Sequence, residues 1–127
     1  MAFSLLTWIK PDLPIITGIT WSPGWPDAFT KLPLGCFRCA DNSTGLITST
    51  GEGSASVGVY IDTWAKTPED RETYDGTVFD AIQETGMVRR MTRHTEEIWP
   101  DGTKAFRSTI LLAGEYDHGM ARMCAPR

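Results

Sequence analysis

Thr67-Pro68-Glu69-Asp70 constrains this chain more than any other stretch, because four consecutive residues each favour the first turn of a helix. Thr67 can serve as N-cap and accept a hydrogen bond from a free backbone N–H. Pro68 suits the first helical position, where its missing N–H costs nothing. Glu69 and Asp70 sit at the positive end of the helix dipole. Apolar residues then recur at Tyr74, Val78, Phe79 and Ile82, the spacing of one buried face. Gly86 comes next as a natural C-terminal stop. The pattern predicts a helix over about 68–85, with Gly76 inside it at a cost of about 1 kcal/mol against alanine.

The stretches on either side of this helix read as strands. Residues 54–65 alternate, with Ala55, Val57, Val59 and Ile61 on one face and Ser56, Gly58, Tyr60 and Asp62 on the other. That period of two marks a half-buried strand. Beyond the helix, 87–99 lead into Pro100-Asp101-Gly102, where proline presets one dihedral and glycine accepts a positive one. Residues 104–116 return, with Phe106, Ser108, Ile110 and Leu112 on one face, so the pair reads as a hairpin. Upstream, 15–21 (Ile15, Ile16, Ile19, Trp21) and 34–40 read as two shorter strands. Pro23-Gly24, Pro26 and Pro33 make 22–33 a loop. A short helix over 1–10 ends at Lys10-Pro11, since the residue before proline avoids the helical region.

The expected fold is therefore α+β: a mainly antiparallel sheet in β-β-β-α-β-β order, with one main helix packed on one face. A length of 127 residues fits one domain. Such a chain can bury a core without disulfide or metal staples. Within it we expect an irregular N-terminal segment 1–33, a flexible polar loop 41–53 and a short irregular tail 118–127.

Charge and composition exclude several functions. A net charge of −4 and a pI of about 5.1 argue against a sequence-specific nucleic-acid binder. No apolar run approaches the roughly 18–20 residues that cross a bilayer. The apolar patch within 1–14 lacks the basic region and cleavage site of a signal peptide. Three cysteines do not make an even disulfide framework, so the thiols read as reduced and the compartment as cytoplasmic.

Candidate chemistry is sparse. Cys36-Phe37-Arg38-Cys39 has C-x-x-C spacing, but His94, His118 and Cys124 stand at no metal-site spacing from it. A strand would also send the two thiols to opposite faces. His94 and Glu96 share one side of a strand, and an enzyme reading would use His94 with Glu96 or Glu97 as an acid/base pair. The alternative is a polar sheet surface. Gly51-Glu52-Gly53 lacks the lysine of a phosphate loop. Trp8, Trp21 and Trp25 serve either the core or an interface, where aromatics are enriched. No catalytic, metal-binding or cofactor-binding residue is expected, and no cofactor. Arg89, Arg90, Arg93 and Arg107 are expected to gather across the hairpin, as an electrostatic contact with a neighbouring subunit or with DNA, or as a solvated face.

From Val57 to Asp117 the chain resembles the tail terminator and tail completion family of long-tailed bacteriophages. The layout carries the resemblance. A strand ends in Val59-Tyr60-Ile61-Asp62-Thr63-Trp64, and Lys66-Thr67-Pro68-Glu69 leads into the helix. A basic strand (87–93), the Pro100-Asp101-Gly102 turn and a closing strand (105–116) finish it. Leu32-Pro33-Leu34-Gly35-Cys36-Phe37 is similar to the family's proline followed by a hydrophobic strand. Pro11 and Pro14 depart from it by cutting short the N-terminal helix. The resemblance implies a homo-oligomeric ring, commonly a hexamer, at the head-proximal end of the virion tail. Such a ring stops growth of the tail tube protein, offers a docking surface to the head connector and lets DNA through its lumen without specific binding. It catalyses nothing and touches no membrane. Arg89, Arg90, Arg93, Arg107 and Glu52 are the interface candidates. A head–tail joining (neck) protein or another minor tail component is the near alternative; a small enzyme or ligand-binding module is the remote one.

Overall fold

The computed structural model describes residues 13–29, 31–39, 54–117 and 122–124. Within them lie β1 (Trp21–Pro23), β2 (Leu34–Cys39), β3 (Ser54–Ala65), α1 (Pro68–Gln83), β4 (Val88–Ile98), β5 (Lys104–Asp117) and β6 (Arg122–Cys124). The strands form one sheet in the order β1-β2-β3-β5-β4, with β6 also paired to β5. This is an α+β fold, with the expected element order extended by β6. The short helix expected over 1–10 and the loop 41–53, with Glu52, lie outside the described residues.

The helix begins and ends where its sequence signals stand. The Asp70 amide donates to Thr67 Oγ1 at 3.0 Å, which satisfies one of the free donors of the first turn. The chain leaves the helix through two short bonds, Thr85 N to Ile82 O at 2.9 Å and Gly86 N to Gln83 O at 3.1 Å. Gly86 then takes φ of 82°, a conformation costly for residues with a Cβ. Val78 and Ile82 are buried, while Tyr74 and Phe79 are half-buried. Thr73 and Thr77 turn their hydroxyls back onto the helix and bond Glu69 O and Thr73 O.

β3 and β4 both run antiparallel to β5, so they are parallel to each other with β5 between them. Parallel strands need a crossover connection, and α1 supplies it. The helix packs on β3 and β5. Beneath it, Phe37, Ile61 and Ile110 stand side by side across three strands, and Val59 faces Leu112. With Leu13, Val78, Ile82 and Met87 they make the main core, which Ile16 and Trp21 extend. Each such burial contributes roughly 1.5–3 kcal/mol.

The β4–β5 hairpin closes as its turn residues predict. Trp99 N donates to Thr103 O and Gly102 N to Trp99 O, both at 2.8 Å. Gly102 has φ of 89°. The Asp101 carboxylate accepts from Thr103 N at 2.9 Å, which holds its pKa below the usual carboxylate range.

The sheet is mainly antiparallel, as expected, and the β1–β2 pair, which is parallel, makes it mixed. Three expectations need correction. The first strand is Trp21–Pro23 rather than 15–21. Pro14 and Gly18 interrupt that segment, Ile19 N turns back to Ile16 O at 3.0 Å, and Ile15 is 99% exposed. The tail after Asp117 is not wholly irregular, since β6 takes the edge of β5 beyond the end of β4. Finally, β3 is not half-buried along its length: Ile61, Asp62, Thr63, Trp64 and Ala65 are all buried.

The burial of β3 on both faces has a topological cause. A parallel β1–β2 pair forces the intervening chain to cross one face of the sheet. Phe29, Leu32 and Leu34 pack there against Cys36, Trp64, Trp99 and Ala105. A second small core therefore lies on the side opposite the helix. No helix among the described residues is long and apolar enough to cross a membrane.

Candidate functional site

On the helix-free face, three adjacent strands converge on Asp62. Its neighbour on β2 is Cys36 and its neighbour on β5 is Thr109. Arg38 and Arg107 lie one diagonal step away, within reach of long side chains. Asp62 Oδ2 accepts from Arg38 Nε at 2.9 Å and contacts the Cys36 thiol at 3.7 Å. Oδ1 accepts from Arg107 Nη2 at 2.9 Å, Arg107 Nε at 3.2 Å and Thr109 Oγ1 at 2.5 Å. The carboxylate has no exposed surface, while the two arginine side chains keep 24% and 21% of theirs.

Glu97 on β4 extends the cluster. It accepts from Arg107 Nη1 at 3.1 Å through Oε2 and from the Trp64 indole at 3.0 Å through Oε1. Two guanidinium groups thus face two carboxylates, and the cluster is neutral. Burial pulls the pKa of Arg107 down, but its bonds and attraction to Asp62 and Glu97 outweigh this and raise it above the ordinary arginine value. Burial pushes the Cys36 thiol up to about 12, and the Asp62 charge adds to the effect. The thiol is neutral and a poor nucleophile at ordinary pH.

Aromatic rings cover the guanidinium groups. Arg38 lies 4.3 Å from the Trp25 ring centre and 4.4 Å from that of Tyr60. Arg107 lies 5.1 Å from both Trp25 and Trp64. Trp25 is 53% exposed, so one face of its ring roofs the cluster while the rest meets solvent. Its place is fixed by the preceding residue, whose amide (Gly24 N) donates to Phe37 O at 2.8 Å.

Beside this layer opens a concavity of about 360 Å³. The described residues that line it are Arg38, Tyr60, Met91, Arg93, Thr95, Arg107 and Thr109. Arg93 is exposed and has no partner among the described residues.

The structure divides the arginines that the sequence suggested would gather. Arg89 lies on the helix side, 4.7 Å from the Phe79 ring centre. A bulge between Arg89 and Met91 leaves Arg90 out of the ladder. This switch sends Arg93 to the opposite face, where Arg107 of β5 also lies. The expected four-arginine cluster is thus two separate groups, because one extra residue in a strand reverses the facing of every residue after it.

The acid/base candidates are engaged elsewhere. His94 Nε2 meets Asp75 Oδ2 of α1 at 2.6 Å, and Lys104 Nζ meets Glu96 at 3.3 Å. Cys36 and Cys39 belong to one unbroken ladder, and no group of three or more His, Cys, Asp or Glu among the described residues is placed to hold a metal. Sequence reasoning missed Asp62, Arg38 and Trp25. Asp62 looked like one more polar residue on an exposed strand face. The signal that could have found it is Trp64, a large apolar side chain further along that same polar face.

No protein-family model matches the chain, and no curated protein matches it.

Proposed function

We propose that the chain is a structural subunit of a long-tailed phage particle, a tail terminator whose ring ends the tail tube and receives the head connector. The observation that carries this reading is a separation of charge on the outer surface. Glu69, Asp70, Glu72, Asp80 and Glu84 are exposed along and just after α1, whereas Arg89, Arg90 and Arg93 are exposed on β4. In a head-to-tail ring a patch on one subunit meets a different patch on the next. The acidic helix surface of one subunit is complementary to the arginines that edge strand β4 of the next exposes, Arg89 on its helix side and Arg93 on the other, and like charges would repel in a face-to-face pairing. The layout of β3, α1, β4 and β5 adds its resemblance to the tail terminator family. In this reading the chain catalyses no reaction and needs no cofactor. Its partners are further copies of itself, the tail tube protein and the connector.

The test is a stop codon at Trp64 in the phage or prophage that encodes the chain, with the lysate imaged by electron microscopy. Overlong headless tails beside full tailless heads are expected. Tails of normal length that fail to attach would move the assignment to a neck protein, and unchanged infectious particles would end the structural reading.

A further inference from the structure

We propose that the concavity on the helix-free face binds one oxyanion group, a carboxylate or a phosphate, between Arg38 and Arg93. The argument starts from what Arg38 has left to offer. Its Nε is committed to Asp62 at 2.9 Å, and no described residue bonds its two terminal nitrogens. The guanidinium group packs against both the Trp25 and Tyr60 rings, with its carbon 4.3 and 4.4 Å from their centres. A fork tied to a buried carboxylate and packed against two rings loses little freedom when an anion arrives.

Charge balance points the same way. Arg38 and Arg107 are neutralised by Asp62 and Glu97, so the inner layer attracts no anion by net charge alone. Arg93 adds an uncompensated positive charge at the rim of the same concavity. Arg93 and Thr109 are directly paired across β4 and β5, and Arg38 is paired with Tyr60, so the two guanidinium groups approach the cavity from opposite sides. The Tyr60 and Thr95 hydroxyls on its lining can supply further donors. Charge-assisted bonds of this kind are the strong ones, and an arginine fork matches the geometry of carboxylate and phosphate.

The anion has two sources: a free small anion or an acidic side chain of a neighbouring copy. The site does not depend on the phage assignment, because its residues are fixed within one chain. Titration of the purified protein with inorganic phosphate, and separately with succinate, followed by NMR shifts or calorimetry at constant ionic strength, decides the matter. Arg93→Ser is the first variant, since its exposed side chain leaves the fold intact; Arg38→Lys, which keeps the charge but loses the fork, is the second. Saturable binding by the native chain, weakened about tenfold or more in both variants, supports a free-anion site. Binding only when the protein is diluted to monomer, with phosphate opposing reassociation, supports the neighbour's side chain as occupant. Equal binding by the native chain and both variants, or no saturable binding at any protein concentration together with variant-independent self-association, overturns the proposal.

Discussion

The two faces of the sheet are closed by different physics. Beneath α1 the contacts are apolar and interchangeable: Phe37, Val59, Ile61, Ile110 and Leu112 meet Val78 and Ile82. On the opposite face the centre is a buried carboxylate that accepts from two arginines and a threonine, under a tryptophan roof. Apolar packing tolerates exchange of shape and loses stability by degrees. A buried ionic cluster is all or nothing, because removal of one partner strands the charges of the others. The first face therefore loses stability in steps as its side chains are trimmed, whereas the second fails as a unit when one charge is removed.

The largest effect expected from this contrast is at Asp62. Asp62→Ala should destabilise the chain by about 3–5 kcal/mol in urea unfolding, since Arg38 and Arg107 lose the group that holds them. Joint replacement of Asp62 by Leu and of Arg38 and Arg107 by Met should recover most of that loss, as apolar substitutes for buried ion pairs often do. Failure of the triple variant to recover would mean that the cluster is needed for folding itself.

On the helix side, Ile82→Ala should cost about 2–4 kcal/mol, from lost burial and the cavity left behind. An Ile82→Ala loss greater than that of Asp62→Ala would break the comparison.

The smallest effect is alkaline. The Cys36 thiol is raised from an ordinary 9.0 to about 12 in the fold, so between those values the unfolded chain has released a proton that the native one retains. Its contribution is fully present below pH 9 and declines as pH rises toward 12. Stability measured by denaturant midpoint should fall by roughly 1 kcal/mol between pH 8 and pH 10, and Cys36→Ala should flatten that slope.

Elements with local signals were legible beforehand. Thr67, Pro68 and Gly86 bracket α1, and Pro100-Asp101-Gly102 closes the hairpin, because caps and turns act over three or four residues. Alternation over 54–65 and 104–116 placed β3 and β5, with Val59, Ile61, Ile110 and Leu112 of the main core. The candidate site was not legible. Its residues come from β2, β3, β4 and β5, and no local rule connects Arg38 with Asp62 or Glu97 with Trp64. The arginines on β4 were visible as residues, but the bulge that divides them leaves no mark in composition.

The sequence alone therefore determined the helix, the long strands, the hairpin and the α+β class, since backbone dihedral preferences and side-chain periodicity are written in neighbouring residues. Tertiary structure alone decided that β1 would run parallel to β2, that the link between them would cross the helix-free face, and that Asp62 would be buried there. An aspartate in an alternating strand reads the same whether water or two guanidinium groups surround it. Which of the two it meets depends on what the rest of the chain lays over it, and that is settled only when distant segments pack.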